Sequence, residues 1–206
     1  MSQGRLITLE GIEGVGKSTH AEAVAQAYRD AGRAVVCTRE PGGTEIGDRI
    51  RGLLLDPGGA GPLAETELLL MFAARSEHLA RVIRPALAAG SDVVCDRFTD
   101  ATYAYQGGGR GIDSAWIATL EQRIQIELRP DYTLLFDCPV ATALARARGG
   151  GDGDRFERET TAFFERAREV YLQRAGAEPE RFRVIDAARP IAEVRAAVLA
   201  ALPEAG

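Results

Sequence analysis

The chain has 206 residues and a mass of 22.1 kDa, which is the size of one α/β domain and excludes two large ones. Hydrophobic residues make up 46% of the chain and charged residues 27%, so it can bury a core and is not a disordered segment. The formal net charge of −5 excludes the broad basic surface of a nucleic-acid-binding protein. We therefore expect no nucleic-acid partner, and local cations must meet any phosphate-bearing ligand.

The lengths of the apolar runs and the spacing of the cysteines indicate where the chain is located and which roles its cysteines have. No apolar run reaches the roughly 18 to 20 residues that a membrane span needs, and residues 1–8 lack the pattern of an export signal. We expect no membrane partner and a cytoplasmic location. The cysteines Cys37, Cys95 and Cys138 are odd in number and have no C-x-x-C spacing, which predicts small buried side chains rather than disulfides or a zinc site.

Short apolar runs alternate with helical patterns along the chain. Residues 5–10 predict a first strand, the spacing of apolar residues over 17–31 predicts a helix, and Gly32 ends that helix before a second strand at 34–38. The patterns that follow predict helices over 46–55 and 63–89, a strand at 92–95, a helix over 114–128, a strand at 132–136, helices over 140–148 and 158–176, a strand at 182–185 and a helix over 191–202.

This alternation predicts a doubly wound α/β fold, with a five-stranded parallel sheet, helices on both faces and ligands at the carboxyl edge of the strands. Glycine-rich residues at 107–111 and 149–153 predict mobile loops, and 57–62 predict a flexible connection. Nothing along the chain resembles a linker between two domains. We therefore predict that residues 1–206 form a single domain.

A phosphate-binding loop follows the first strand. Residues 11–18 match the pattern G-x-x-x-x-G-K-[ST] between a strand and a helix, and Lys17 is the only lysine in the chain. The glycines let backbone N–H groups turn towards a polyphosphate at a helix N-terminus, where Lys17 reaches the β- and γ-phosphates and the Ser18 hydroxyl ligates Mg²⁺. The residues predicted to bind the nucleoside triphosphate are Gly11, Ile12, Glu13, Gly14, Val15, Gly16, Lys17, Ser18 and Thr19.

Charged side chains follow the next two strands at the same edge of the sheet. Asp96 ends the third predicted strand and is expected to hold Mg²⁺ directly or through water. Arg39 follows the second strand and Arg97 the third, and each offers a bidentate donor to a phosphate. Because the chain contains no Asn, the Asn-Lys-x-Asp motif of GTPases is excluded, and these features favour a small-molecule kinase with an anionic acceptor.

Four segments, residues 10–18, 38–44, 96–98 and 104–111, resemble those of bacterial thymidylate kinases in order and spacing. The resemblance implies the fold of the P-loop kinases, with transfer of the γ-phosphoryl group of Mg·ATP to dTMP. It also implies a homodimer, which fits the predicted helix 63–89, since that helix is apolar on more than one face. Further matching residues, which extend the resemblance over essentially the whole chain, are Thr66, Glu67, Arg75, His78 and the segment 154–157.

The resemblance also implies which side chains bind the acceptor nucleotide. Arg39 and Arg97 grip its monophosphate, and Arg75 hydrogen-bonds the edge of the thymine. Tyr105 lies under the sugar and disfavours a 2′-hydroxyl group. The other side chains implied to line the sugar, the phosphate region or the base are Glu13, Thr102 and Gln106.

The sequence departs from the family pattern near the base. In the family pattern an aromatic residue four positions before the thymine-binding arginine stacks on the base, but here position 71 is Met and the aromatic residue is Phe72. Residues three apart on a helix also share a face, so we predict that Phe72 packs on the base, with Met71 as the alternative.

A lid segment, residues 141–158, is the second departure. Gly14 stands where eukaryotic-type members carry an arginine in the phosphate loop, so the resemblance places the cation of the transition state in the lid. The centre of the lid is glycine-rich where relatives often carry more arginine. The predicted catalytic residues are therefore Lys17, Arg39 and Arg97 together with one of the lid arginines Arg146, Arg148 and Arg155.

Two other functions stay open. The chain could phosphorylate another monophosphate, such as dUMP, and rates across the monophosphates would distinguish this. It could also be a regulatory module that closes on ATP without transferring phosphate, in which case a single-turnover assay would yield no dTDP.

Overall fold

The computed structural model describes residues 4–58, 61–147 and 155–203. All strand pairs are parallel, and their order across the sheet is β2-β3-β1-β4-β5. The predicted five-stranded parallel sheet is confirmed, with strand ends that lie within one residue of the expected positions. The strands are β1 Leu6–Glu10, β2 Val35–Arg39, β3 Asp92–Asp96, β4 Tyr132–Asp137 and β5 Phe182–Asp186.

Helices cover both faces of the sheet. Alternate residues of β1 enter different hydrophobic clusters, since Ile7 and Leu9 belong to one and Leu6 to another. Within the described part of the chain, no helix is long and apolar enough to cross a membrane. The α-helices are α1 Lys17–Asp30, α2 Glu45–Leu55, α3 Ala64–His78, α4 Arg84–Ala88, α5 Thr99–Thr102, α6 Ser114–Gln125, α7 Val140–Ala147, α8 Thr161–Ala177 and α9 Ile191–Ala201.

The predicted helix 63–89 contains a wider turn. A π-helix, Leu79–Ile83, joins α3 to α4 without a break. Pro85, two residues after the end of the π-helix, has no N–H to donate to residue 81, so a regular α-helix would lose a backbone hydrogen bond here. The sequence pattern locates the helix but does not reveal this change in its winding.

The prediction of a mobile loop at 107–111 is wrong for most of that stretch. Tyr103–Gly109 forms a second π-helix that packs against α8. A Cβ atom at Gly109 would lie 2.3 Å from the Phe163 ring, and one at Gly108 would lie 2.8 Å from the carbonyl oxygen of Arg166. The glycines therefore permit a close approach of two helices, and flexibility is not their role.

Cys95 and Cys138 are buried as predicted, but Cys37 is exposed, because β2 is an edge strand of the sheet. The second glycine-rich stretch, 149–153, lies outside the described residues, as do residues 59 and 60 of the predicted connection 57–62.

Candidate active site

The phosphate-binding loop joins β1 to α1, as predicted. Gly11, Gly14 and Gly16 have φ angles of 136°, 76° and 93°, which L-residues with side chains rarely adopt. The Lys17 ammonium folds back over the loop and donates to the carbonyl oxygen of Ile12 at 2.8 Å. The loop therefore has the backbone conformation and the cation that a polyphosphate requires.

Gly14 lies directly against helix α7. A Cβ atom at this position would lie 2.0 Å from the carbonyl oxygen of Ala143 and 3.1 Å from the backbone nitrogen of Ala147. At Gly14 the phosphate loop therefore approaches the backbone of α7 too closely for a side chain.

Ser18 and Asp96 meet at the carboxyl edge of the sheet. The Ser18 hydroxyl donates to Asp96 Oδ2 at 2.6 Å. A hydroxyl and a carboxylate are oxygen ligands that Mg²⁺ accepts beside phosphates and water. The described residues contain no cluster of three or more acidic, histidine or cysteine side chains around a common point.

Lys17 is 95% buried, and its surroundings change its acidity. Burial lowers its pKa, and the nearby Arg97 guanidinium lowers it further. The carboxylates of Glu13, Asp96 and Glu10 oppose this change, and the resulting pKa is about 8. The Lys17 ammonium group therefore loses its proton more easily than that of an exposed lysine.

Arg97 joins the phosphate loop to the adjoining cavity. Its Nη1 donates to the carbonyl oxygen of Gly11 at 2.8 Å, and its Nη2 donates to Glu13 Oε2 at 2.7 Å. Nη2 also donates to the Tyr105 hydroxyl at 3.1 Å, and the guanidinium lies over the Tyr105 ring. The backbone of Arg97 has a φ of 70°, so the guanidinium reaches this position only through a strained conformation.

Glu13 stays charged beside these cations. Burial by itself would raise the pKa of Glu13, but Arg97 and Lys17 outweigh it and hold the pKa at about 2. Its carboxylate therefore orients Arg97 over the whole range of working pH.

A cavity of about 200 Å³ adjoins the phosphate loop. The structure brings together almost all the residues predicted to bind the acceptor. The predicted residues that line the cavity are Glu13, Lys17, Ser18, Arg39, Arg75, Asp96, Arg97, Thr102, Tyr105 and Gln106.

Arginines occupy the mouth of this cavity. The Arg39 side chain is 58% exposed, and its Nη2 lies 3.7 Å from Asp48 Oδ1, so it is free to move towards a ligand. Arg51 also lines the cavity, and its Nη1 donates to the carbonyl oxygen of Pro41 at 3.0 Å. Sequence reasoning did not single out Arg51, since only its place on α2, facing the loop after β2, distinguishes it from other arginines.

Arg75 forms the inner wall of the cavity. Its Nε donates to Glu40 Oε2 at 2.7 Å and its Nη2 donates to the Thr102 hydroxyl at 3.0 Å, while Nη1 has no hydrogen-bond partner among the described residues. His78 Nδ1 lies 3.0 Å from Glu40 Oε1, and its Nε2 lies 2.6 Å from the Thr38 hydroxyl. Arg75 is thus held rigidly with one donor group left for a ligand.

Phe72 does not line the cavity, and its assignment to the base is corrected here. It packs with Leu68 and Ile117 in a hydrophobic cluster between α3 and α6, and Arg75 lies over its ring. Met71 lines the cavity instead, because residues four apart share the face of α3 that carries Arg75. The alternative that the sequence left open is therefore the one that the geometry favours.

Two lid arginines have partners away from the cavity. Arg146 donates to the carbonyl oxygens of Ala187 and Ala188 at 2.6 and 3.2 Å. Arg155 donates to the carbonyl oxygen of Leu54 and to Glu67. Neither arginine is among the residues that line the cavity, so the structure does not bring them to Lys17 and Arg97. Arg148 lies outside the described residues.

The phosphate loop and the cavity, which is rich in guanidinium groups, share one wall. The shared wall is formed by Glu13, Lys17 and Arg97, so two anionic ligands would meet there. Such an arrangement can hold a phosphoryl donor and an anionic acceptor in line and neutralise the charge between them.

Comparison with known proteins gives a consistent result. The family model of thymidylate kinase matches residues 9–198. The thymidylate kinase of Pseudomonas entomophila (strain L48) is 60% identical over 200 residues, which cover 97% of this chain and 95% of that protein. That of Ectopseudomonas mendocina (strain ymp) is 59% identical over the same shares of both chains. The crystal structure of thymidylate kinase from Ehrlichia chaffeensis has a TM-score of 0.77 and 33% identity, and the match covers 97% of this chain and 98% of that one.

Proposed function

Because the chain belongs to the thymidylate kinase family, which phosphorylates dTMP with ATP as the donor, we propose that the phosphate loop binds ATP and the adjoining cavity binds dTMP. A phosphate oxygen of dTMP then attacks the γ-phosphorus, the bond from that phosphorus to the bridging oxygen of ADP breaks, and dTDP forms. The acceptor oxygen is already a nucleophile, so no covalent intermediate is needed. The enzyme positions the two nucleotides and neutralises the charge of their phosphates.

Arg97 and Arg39 bind the monophosphate of dTMP. Arg97 is fixed by Gly11 and Glu13 before any ligand arrives, so it provides a preformed donor pair at the junction of the two sites. Arg39 is largely exposed and completes the clamp from the end of β2, the strand next to β3. A fixed and a movable guanidinium together orient the attacking oxygen.

Lys17 and the backbone of the phosphate loop bind the β- and γ-phosphates of ATP. The ammonium group exchanges its contact with the Ile12 carbonyl for phosphate oxygens, which are better partners for a buried cation. The charge that develops on the transferred group therefore lies between Lys17 and Arg97.

Mg²⁺ is the metal that this fold implies, and Ser18 with Asp96 would hold it. Their contact at 2.6 Å places two oxygen ligands side by side beside the loop, which fits the preference of Mg²⁺ for few protein ligands. When bound, the ion supplies positive charge to the phosphate oxygens of ATP.

The thymine lies against Met71 and Arg75. Arg75 Nη1, which has no hydrogen-bond partner in the described part of the chain, hydrogen-bonds the edge of the base, while Thr102, Tyr105 and Gln106 line the sugar and base. A kinase for dUMP would use the same donors, so rates with dTMP and dUMP distinguish the two. We expect dTMP to be preferred.

The lid supplies the remaining cation. Because Arg146 and Arg155 are held by other partners, Arg148 is the candidate that we propose for the transferred phosphate.

The lid boundaries 141–158, a cytoplasmic location and the homodimer also stay predictions. The homodimer is supported by exposed apolar side chains on three neighbouring helices, which are Ile46 and Leu53 of α2, Leu69 of α3 and Trp116 of α6.

The single observation that supports these assignments is the contact of Arg97 with both Gly11 and Glu13, because it joins the arginine proposed to bind the acceptor to the phosphate loop. The test measures dTDP formed from ATP and dTMP. Lys17→Met is expected to remove most of the turnover while the melting temperature stays close to that of the unaltered chain. Near-normal dTMP-dependent ADP release by this variant would contradict the role of Lys17.

A further inference from the structure

Glu67 is a fully buried acid on α3 that does not line the cavity. Three side chains from elsewhere in the chain donate to its carboxylate. Gln106 Nε2 lies 2.8 Å from Oε1, Arg110 Nε lies 3.2 Å from Oε1, and Arg155 donates to Oε2. A glutamate without exposure needs such partners, because an unpaired buried carboxylate is strongly disfavoured.

The charges around Glu67 are balanced locally. Arg110 also pairs with Glu159 at 2.6 Å, and Arg155 also donates to the carbonyl oxygen of Leu54 at 3.0 Å. Two guanidinium groups therefore face two carboxylates, and the hydrogen bonds that they donate fix the oxygens of Glu67 in place.

The charge on Glu67 determines the orientation of the Gln106 amide. A carboxylate only accepts hydrogen bonds, so the amide must turn its nitrogen towards Glu67. Gln106 also lines the acceptor cavity, and its amide oxygen is the end that remains for a ligand. The side chain then offers its amide oxygen to the nucleotide as an acceptor.

We propose that Glu67 is a positioning residue that fixes the Gln106 amide so that its oxygen accepts a hydrogen bond from dTMP. The inference rests on the proposed place of dTMP in this cavity. Away from its phosphate, dTMP has two donors, the N3–H of the base and the 3′-hydroxyl of the sugar. Glu67 thus acts on acceptor binding without touching the nucleotide.

The decisive variant is Glu67→Gln, which keeps the shape of the side chain. The two guanidinium groups draw the oxygen of the new amide towards themselves, so its nitrogen faces Gln106. Gln106 must then reverse and present N–H groups to a donor of dTMP. We expect dTMP affinity, measured by calorimetry, to fall about tenfold, with ATP affinity unchanged.

A double-mutant cycle separates this role from general damage. Gln106→Ala should also weaken dTMP binding, and adding Glu67→Gln to it should cause little further loss, because Glu67 acts through Gln106. Losses that multiply would overturn the proposal, as would unchanged dTMP affinity in Glu67→Gln. If Gln106→Ala itself binds dTMP normally, the proposed role of Gln106 in the acceptor site fails instead. If the unaltered chain binds no dTMP, the whole site assignment fails.

An exchange of the two groups provides a second test should Glu67→Gln fold poorly. In Glu67→Gln combined with Gln106→Glu, the new amide donates to the new carboxylate, whose other oxygen faces the cavity, and the local charge is conserved. This variant should bind dTMP about fivefold more tightly than Gln106→Glu alone, in which two carboxylates repel each other. No recovery would overturn the proposal.

Glu159→Gln is the matched control. It removes a carboxylate from the same Arg110 without touching Gln106, so dTMP affinity should not change. A loss equal to that of Glu67→Gln would show that only the charge of the cluster matters, and would overturn the proposal.

Binding of 3′-deoxythymidine monophosphate identifies which donor of dTMP, the N3–H or the 3′-hydroxyl, bonds to Gln106. If Gln106→Ala no longer weakens binding of this compound, the 3′-hydroxyl is the partner; if it still does, the partner is N3–H.

Discussion

We expect the protonation of the buried Lys17 side chain to depend on whether a nucleotide is bound. With a pKa of about 8, caused first by burial and then by Arg97, the free enzyme holds this proton only partly at pH 8. Phosphate anions at the loop favour the charged form and raise the pKa again. Binding of ATP is therefore coupled to protonation of one side chain.

We predict that ATP binding at pH 8 takes up protons from the buffer. The uptake should decrease towards pH 6, where Lys17 is already charged. Calorimetry in two buffers with different ionisation enthalpies measures it. Lys17→Arg is the control, because an arginine keeps its proton below about pH 12 and should show less uptake by the amount due to Lys17. Equal uptake in both proteins would contradict the assignment.

Arg97 combines a required side chain with an unfavourable backbone. Arg97→Ala and Arg97→Gly remove the same guanidinium, so each should lower kcat/KM for dTMP by about 100-fold or more. They should differ in stability, because glycine adopts a φ of 70° freely and alanine does not. We expect the glycine variant to be more stable by about 1 kcal/mol in urea unfolding. An alanine variant of equal or greater stability would contradict the strain.

Single residues of the site were predictable where a local pattern carries them. The loop pattern gave Lys17 and Ser18, and the strand ends gave Asp96 and Arg97. The partners that hold these side chains were not predictable. Glu40, for example, is an ordinary acid in the sequence, and its burial between Arg75 and His78 exists only after the loop that follows β2 packs against α3.

At the scale of elements, the second π-helix shows how tightly the acceptor site is packed. Tyr103–Gly109 lies against α8, and Tyr105 meets Phe156 and Phe163 edge to face. The glycines at its end leave no room for a side chain beside Phe163. The position of Tyr105 therefore depends on glycines that the sequence alone presents as a flexible run.

We predict that Gly109→Ala destabilises the protein by about 1–3 kcal/mol, because its Cβ would overlap the buried Phe163 ring. Gly176→Ala on the exposed side of α8 is the control, since nothing lies within 4 Å of the added atom. That change should leave the stability equal or raise it by up to about 1 kcal/mol. Thermal unfolding of both variants provides the comparison, and equal behaviour would contradict the packing argument.

The strands were more predictable than the helices. Continuous apolar runs have sharp limits, and each strand was located within one residue. Apolar residues at helical spacing predict a helix, but over only five residues the spacing in a π-helix differs little from that in an α-helix. The π-helix Leu79–Ile83 could therefore not be predicted. The face of α3 was also ambiguous, because spacings of three and four both fit a helix, and this is why Phe72 and Met71 were confused.

For the whole molecule, the fold followed from the order of strands and helices, whereas the association of chains does not follow from one chain. Leu53 of α2 is 64% exposed and Leu69 of α3 is 50% exposed, although both helices pack closely on one another. Exposed apolar side chains on neighbouring helices are typical of an interface between subunits.

We predict that Leu53→Glu combined with Leu69→Glu converts a dimer to a monomer, because a buried charge without a partner disfavours association. Sedimentation or light scattering gives the mass. Ile191→Glu on α9 is the control, since Ile191 is comparably exposed on a helix outside this group, and it should keep the mass of the unaltered chain. A monomeric mass for the unaltered chain would contradict the proposed dimer.

The contact of Gly14 with helix α7 also bears on how these enzymes diverge. A residue with any side chain at this position would meet the backbone of Ala143 and would need a positive φ as well. An arginine introduced here by a single codon change would therefore have to displace a helix before it could reach a phosphate. In this chain an arginine in the phosphate loop could therefore serve as a catalytic cation only if α7 moved first, which agrees with our proposal that the cation comes from the lid.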